Sequence, residues 1–145
     1  MGLLESLWGQ QEKEQIELRD SNTPFRASLR FSPLRLSAMK DGRDGRVDLV
    51  VNVQNTTHEP QLVSVDALLP KHEMLGFEPT CINKVCENRI GTLMPGETKE
   101  LRLSIWGSNQ TQQGDYPLEV HIYSHYQNYD KVINYIKKSA SLRVV

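Results

Sequence analysis

The chain has 145 residues, 38% hydrophobic and 24% charged, with 9 glycines and 7 prolines. That is the length of one domain able to bury its own core, and the composition excludes collagen-like, disulfide-rich and wholly disordered chains. Seventeen basic residues against 18 acidic leave a net charge of −1, which argues against a nucleic-acid partner, and no apolar run approaches the ~18–20 residues that span a bilayer.

Residues 1–21 read as a tail, either disordered or a short amphipathic helix. Leu3, Leu4, Leu7 and Trp8 would share one face of two helical turns that Gly9 ends. A helix this short is marginal in water, so the segment is expected to dock on the domain, to fray, or to anchor the chain to a membrane surface or a partner. Met1-Gly2-Leu3-Leu4-Glu5-Ser6 also fits a short acylation pattern. The basic start, unbroken apolar run and cleavage site of a secretory signal are missing, so the expected compartment is the cytoplasm, with peripheral membrane contact as the variant.

Residues 22–145 are expected to form the domain. Phe25, Ala27, Leu29 and Phe31 alternate with Arg26, Ser28 and Arg30; Pro33 interrupts, and Leu34 and Leu36 resume the pattern. After a turn at Lys40 to Gly45, Val47, Leu49, Val51 and Val53 give the clearest strand. Val63, Val65, Ala67 and Leu69 follow, stopped by Pro70. Residues 71–92 have the weakest periodicity and are expected to be a long loop with a short strand near Glu87 to Ile90. Met94-Pro95-Gly96-Glu97 has the Pro-Gly order of a type II turn. Leu101, Leu103 and Ile105 then alternate with polar neighbours, as do Tyr116, Leu118, Val120, Ile122 and Ser124. Val132 to Ile136 and Ala140 to Val144 close the chain. About seven strands at sandwich spacing, without a long helix, predict an all-β fold: one antiparallel β-sandwich. Val47, Leu49, Val51, Val53, Leu101, Leu103, Leu118, Val120 and Leu142 should fill its core.

Three short motifs carry a family likeness. Val51-Asn52-Val53-Gln54-Asn55-Thr56 ends a central strand in a polar corner. Gly91-Thr92-Leu93-Met94-Pro95-Gly96-Glu97 and Gly114-Asp115-Tyr116-Pro117-Leu118-Glu119-Val120 follow. Together, over roughly residues 45–123, they resemble immunoglobulin-like modules of the CARDB and NEW3 type, and are similar to small single-domain immunoglobulin-like proteins of archaea. The resemblance implies an immunoglobulin-like sandwich used for adhesion or accessory binding. Tyr116 then stands where a tyrosine corner is expected, its hydroxyl bonding to backbone upstream.

Chemistry is sparse. His121, Tyr123 and His125 share one strand face, but same-face residues four apart lie ~13 Å from one another, too far for both histidines to hold one metal. Cys81 and Cys86 lack the spacing and the number of ligands of a zinc site, and read as free thiols. No nucleophile elbow or P-loop is present. Asp48 and Asp66 fall on outward strand positions, where solvation is the default. Basic residues such as Arg26, Arg30, Arg35, Lys137 and Arg143 read as edge protection. Asn55-Thr56-Thr57 and Asn109-Gln110-Thr111 match a glycosylation pattern but read as turns.

The leading functional expectation is a non-catalytic interaction module without cofactor or metal. It would bind a protein, with a glycan as the variant, through Tyr123, His125, Tyr126, Tyr129 and Tyr135. Tyrosine is enriched at interfaces and loops on rigid sandwiches carry function; the same residues could equally rim the core. Self-association is a further expectation. The rival is a membrane-peripheral or assembly protein tethered by Leu3, Leu4, Leu7 and Trp8. Third comes a thiol redox or metal site at Cys81 and Cys86.

Overall fold

The computed structural model describes residues 24–37 and 45–145. The Leu3, Leu4, Leu7 and Trp8 anchor, the acylation pattern and most of the Lys40 to Gly45 turn lie outside these residues.

Nine strands build two sheets. They are Phe25–Ser32 (β1), Arg35–Leu36 (β2), Gly45–Asn55 (β3), Gln61–Leu68 (β4), Leu75–Gly76 (β5), Val85–Leu93 (β6), Thr98–Gly107 (β7), Gly114–His125 (β8) and Val132–Val144 (β9). One sheet runs β1-β3-β7-β5 and the other β2-β9-β8-β4-β6. The chain changes sheet at Pro33, which has no N–H to extend a ladder. Arg35 and Leu36 then pair in parallel with Arg143 and Val144. All other pairings are antiparallel. This is the immunoglobulin-like sandwich that the motifs imply, with no helix among the described residues.

Period-2 alternation places the core as expected. Val47, Leu49, Val51, Val53, Leu103, Leu118, Val120 and Leu142 are buried between the sheets, whereas Leu101 is only half-buried at their margin. Leu34 does not resume a strand; it is 76% exposed in the crossover, and Leu36 alone returns to the core. The final two segments are one 13-residue strand, β9. The largest departure is β6, nine residues of strand where a loop with a short strand was expected. It is an edge strand, and its inner positions Cys86 and Ile90 are only partly buried, so it carries little hydrophobic periodicity.

Local chemistry fixes the connections. Gly96 has φ +80° and Glu97 N–H donates to the Met94 carbonyl at 2.9 Å, the geometry of a type II turn. Tyr116 donates its hydroxyl to the Gln112 carbonyl at 2.6 Å, so the tyrosine corner is formed. Asn55 is fully buried; its amide donates to the Glu59 and Leu93 carbonyls, and its Oδ1 accepts from Thr57. With its nitrogen thus committed, Asn55 is a structural corner of the folded domain rather than a glycan acceptor. The segment between β5 and β6 is held by two opposed charges. Glu78 accepts from the backbone N–H groups of Thr80, Ile82 and Asn83, and Lys84 donates to the carbonyls of Glu73, Leu75 and Cys81.

Candidate functional site

Two β-bulges lie at the same end of the five-stranded sheet. Opposite Val63 and Ser64 the partner strand β6 carries an extra residue, Ile90, beside Gly91 at φ +95°. Opposite Ser124 and His125, β9 carries the extra residue Ile133. Because Val63 pairs with Ser124 and Ser64 with Tyr123, both irregularities fall at one level of the sheet. Bulges bend strands and re-aim side chains. Here the buried-exposed alternation of β8 breaks, and Ser124 and His125 are both buried.

The outer face of the sheet at this level holds an open cleft of about 660 Å³. Ser64 and Asp66 of β4, Glu87, Asn88 and Arg89 of β6, Tyr123 and His125 of β8, Tyr129 of the β8–β9 connection and Val132 of β9 line it. Ring contacts order the tyrosines. Tyr123 packs against Tyr135 with centroids 5.9 Å apart, and Tyr129 meets His125 edge-on at 5.1 Å. The Arg89 guanidinium lies 4.7 Å from the Tyr129 ring centroid, a cation–π contact.

Electrostatics in the cleft are unbalanced. Asp66 stands directly opposite Glu87 across β4 and β6, and neither carboxylate has a hydrogen bond or ion pair among the described residues. Burial, followed by the Glu87 charge, raises the Asp66 carboxyl above its ordinary range, against opposing pulls from His121 and His125. Burial first, and then the Asp66 charge, raises the Tyr123 phenol. His125 is 8% exposed. Burial lowers its basicity, which the Asp66 charge and the Tyr129 backbone only partly offset. Its Nε2 is 2.7 Å from Ser64 Oγ, and Nδ1 is shielded from solvent. Beyond the cleft the charges of this face are paired: Lys137 and His121 hold Glu119 below the usual carboxylate range, and Arg143 pairs with Asp115 at 3.0 Å.

The Ser64–His125 pair has the spacing of a nucleophile and its base. Among the described residues the pair has no further support. No carboxylate among them orients Nδ1, and Ser64 sits in the middle of a sheet with a strand paired on each side.

Of the five residues read as partner-binding, the structure brings Tyr123, His125 and Tyr129 to the cleft and sets Tyr135 beside Tyr123. Tyr126 is 49% exposed and does not line it. Sequence reasoning missed Ser64, Glu87, Asn88, Arg89 and Val132, and left Asp66 as a solvated outward residue. Only the pairing of β4 with β6 could have flagged the facing carboxylates. Cys81 and Cys86 are both free. Cys81 is buried, which raises its thiol and disfavours the reactive thiolate, and Cys86 packs against the core. No cluster of metal-ligating side chains occurs among the described residues. Among them no helix is long and apolar enough to cross a membrane, which says nothing of membrane strands.

No protein-family model matches the chain, and no curated protein matches it in sequence. Solved structures do match. A FixG-related protein from Vibrio parahaemolyticus superposes over 84% of this chain and 97% of its own, at 11% identity and a TM-score of 0.52. Trypsin-activated alpha-2-macroglobulin from Escherichia coli matches 84% of this chain at 18% identity and a TM-score of 0.56, although the match spans only 7% of that much longer chain. A CARDB domain of Pyrococcus furiosus, in complex with di-metal ions, covers 83% of this chain and 89% of its own at 16% identity and a TM-score of 0.49. For the first two, the likeness at such identities is one of fold.

Proposed function

We propose that this protein is a non-catalytic interaction module that binds a protein partner through the cleft on the outer face of its five-stranded sheet. The observation that carries this reading is the cleft itself, which four strands and a connection assemble around two bulges. Concave sites with aromatic walls and a few convergent polar groups are where proteins receive ligands. The incomplete surroundings of Ser64 and His125 favour binding over turnover.

Peptide and glycan arrays probed with wild type, Tyr129→Ala and Tyr126→Ala test it. Peptides retained by wild type and Tyr126→Ala but lost by Tyr129→Ala support the reading. Signal confined to glycans would replace the protein partner by a carbohydrate. Signal that all three proteins share would place binding elsewhere. Covalent labelling of Ser64 by a fluorophosphonate would overturn the non-catalytic assignment.

A further inference from the structure

One margin of the five-stranded sheet is only partly closed. β2 pairs with β9 at Arg143 and Val144, and among the described residues no strand lies on that edge of β9 from Val132 to Lys137. Val132, Ile133 and Tyr135 are each more than half exposed there. An apolar edge of this kind invites strand pairing, and folded proteins ordinarily cover it. The start of β1 lies next to it. Phe25 is in register with Asn55, whose amide donates to the Leu93 carbonyl. Leu93 pairs with Gln61, and the neighbouring Leu62 pairs with His125, the residue beside Val132. Phe25 and Val132 therefore stand at one end of the sandwich, and β1 packs beside β9. The Thr56 N–H donates to the Pro24 carbonyl at 3.1 Å and fixes the chain at that point.

We propose that residues 15–19 of this chain cover the margin as an antiparallel strand on the open edge of β9. Their sequence suits the place. Ile16 and Leu18 alternate with Gln15, Glu17 and Arg19, the period of a strand with one apolar face. Asp20-Ser21-Asn22-Thr23-Pro24 follows, a run of turn-forming residues, and its length easily spans the ~10 Å between packed sheets. Connectivity sets the direction. β1 and β9 both begin at this end, so a segment that turns there into β1 runs opposite to β9. Charge agrees. Glu12, Glu14, Glu17 and Asp20 outnumber Lys13 and Arg19, whereas residues 131–144 hold Lys131, Lys137, Lys138 and Arg143 and no acidic side chain. Opposite charges on neighbouring strands favour their pairing. Leu3, Leu4, Leu7 and Trp8 have the spacing of a helix, which satisfies its own backbone groups and leaves those of an open edge unmet.

The experiment is amide hydrogen exchange and cross-strand NOE measurement on the isotopically labelled full chain. The expected result is Hα–Hα contacts between residues 15–19 and β9. Exchange should also be slow at the alternate amides from Val132 to Lys137 that point away from β8. Ile16→Pro removes a backbone donor and fixes φ. It should speed exchange at these edge amides at least ~10-fold while the amides facing β8 stay protected. Leu3→Ser/Leu7→Ser should change neither set. Edge amides that exchange as fast in wild type as in Ile16→Pro would overturn the proposal. So would NOEs that seat Leu3, Leu7 or Trp8 on Ile133 and Tyr135, which give the margin to a different segment. Protection that appears only at high protein concentration would assign the edge to a second copy and overturn it equally. If Ile16→Pro does not fold, the wild-type NOEs decide alone, and their absence overturns the proposal.

Discussion

The two outer faces of the sandwich are built by the same alternation and end in opposite electrostatic states. On the four-stranded sheet, Arg102 contacts both Glu100 and Asp48, Arg30 reaches Glu100, and Arg46 lies over Trp106. At the middle of that face Val50 points outward yet is fully buried, flanked in register by Arg30 and Arg102, whose aliphatic stems can lie over it. The five-stranded sheet carries paired charges at one end and, at its bulged end, two carboxylates that face each other among tyrosines with no ion pair among the described residues. A face whose central charges are all matched within the chain has little left to offer a ligand. An unmatched one retains recognition at some cost in stability.

Substitutions on the two faces should therefore behave differently. The largest effect is expected for Val50→Ala, which removes fully buried methyl groups and should cost about 2 kcal/mol in urea denaturation; a loss no larger than for an exposed valine would show that the paired face is not sealed. Gly91→Ala should cost about 1–2 kcal/mol, since φ +95° strains an L-residue. Amide shifts along β6 and β4 should move with it if that bulge seats the cleft. The sharpest contrast lies in two equivalent neutralisations. Glu100→Gln should lower stability by about 0.2–1 kcal/mol, whereas Glu87→Gln should raise it by about 0.2–1 kcal/mol. Shifts of the same sign in thermal melts would erase the distinction between the faces.

The smallest effect concerns pH. Because burial depresses the folded-state basicity of His125, the unfolded chain binds the extra proton first as pH falls. The contribution of His125 is intact above the ordinary histidine range near 6.5 and is lost as pH falls through it toward the folded value. Asp66, whose carboxyl is raised, acts in the opposite sense at lower pH, with Glu87 and His121 facing it from the adjacent strands. His125→Gln should flatten the decline of denaturation midpoint between neutral pH and about pH 5; an unchanged slope would mean the ring is not held neutral.

What could be read in advance follows burial. Val47 to Val53 and Tyr116 to Ser124 have one face in the core, so hydrophobic period alone reveals them. The Pro-Gly turn and the tyrosine corner were legible because each is encoded within a few residues. β6 was not. Glu87 and Arg89 face outward, Cys86 and Ile90 are half-buried, and Gly91 interrupts the spacing. The cleft was half legible for the same reason: its tyrosines are neighbours in sequence, but Ser64 and His125 are 61 residues apart and meet only through strand register. Tyr126 shows the limit of composition as a guide, since it belongs to the tyrosine-rich segment and yet does not line the cleft.

Among the described residues β6 is the outermost strand of its sheet, nine residues long with one side unpaired, and such an edge is a template on which another strand can pair. Ile90 and Gly91 bend that edge near its end, and Glu87 and Arg89 alternate along it, so a straight strand laid alongside would lose register within a few residues. A kink at this place disfavours the edge-to-edge pairing that a flat strand of this length would invite.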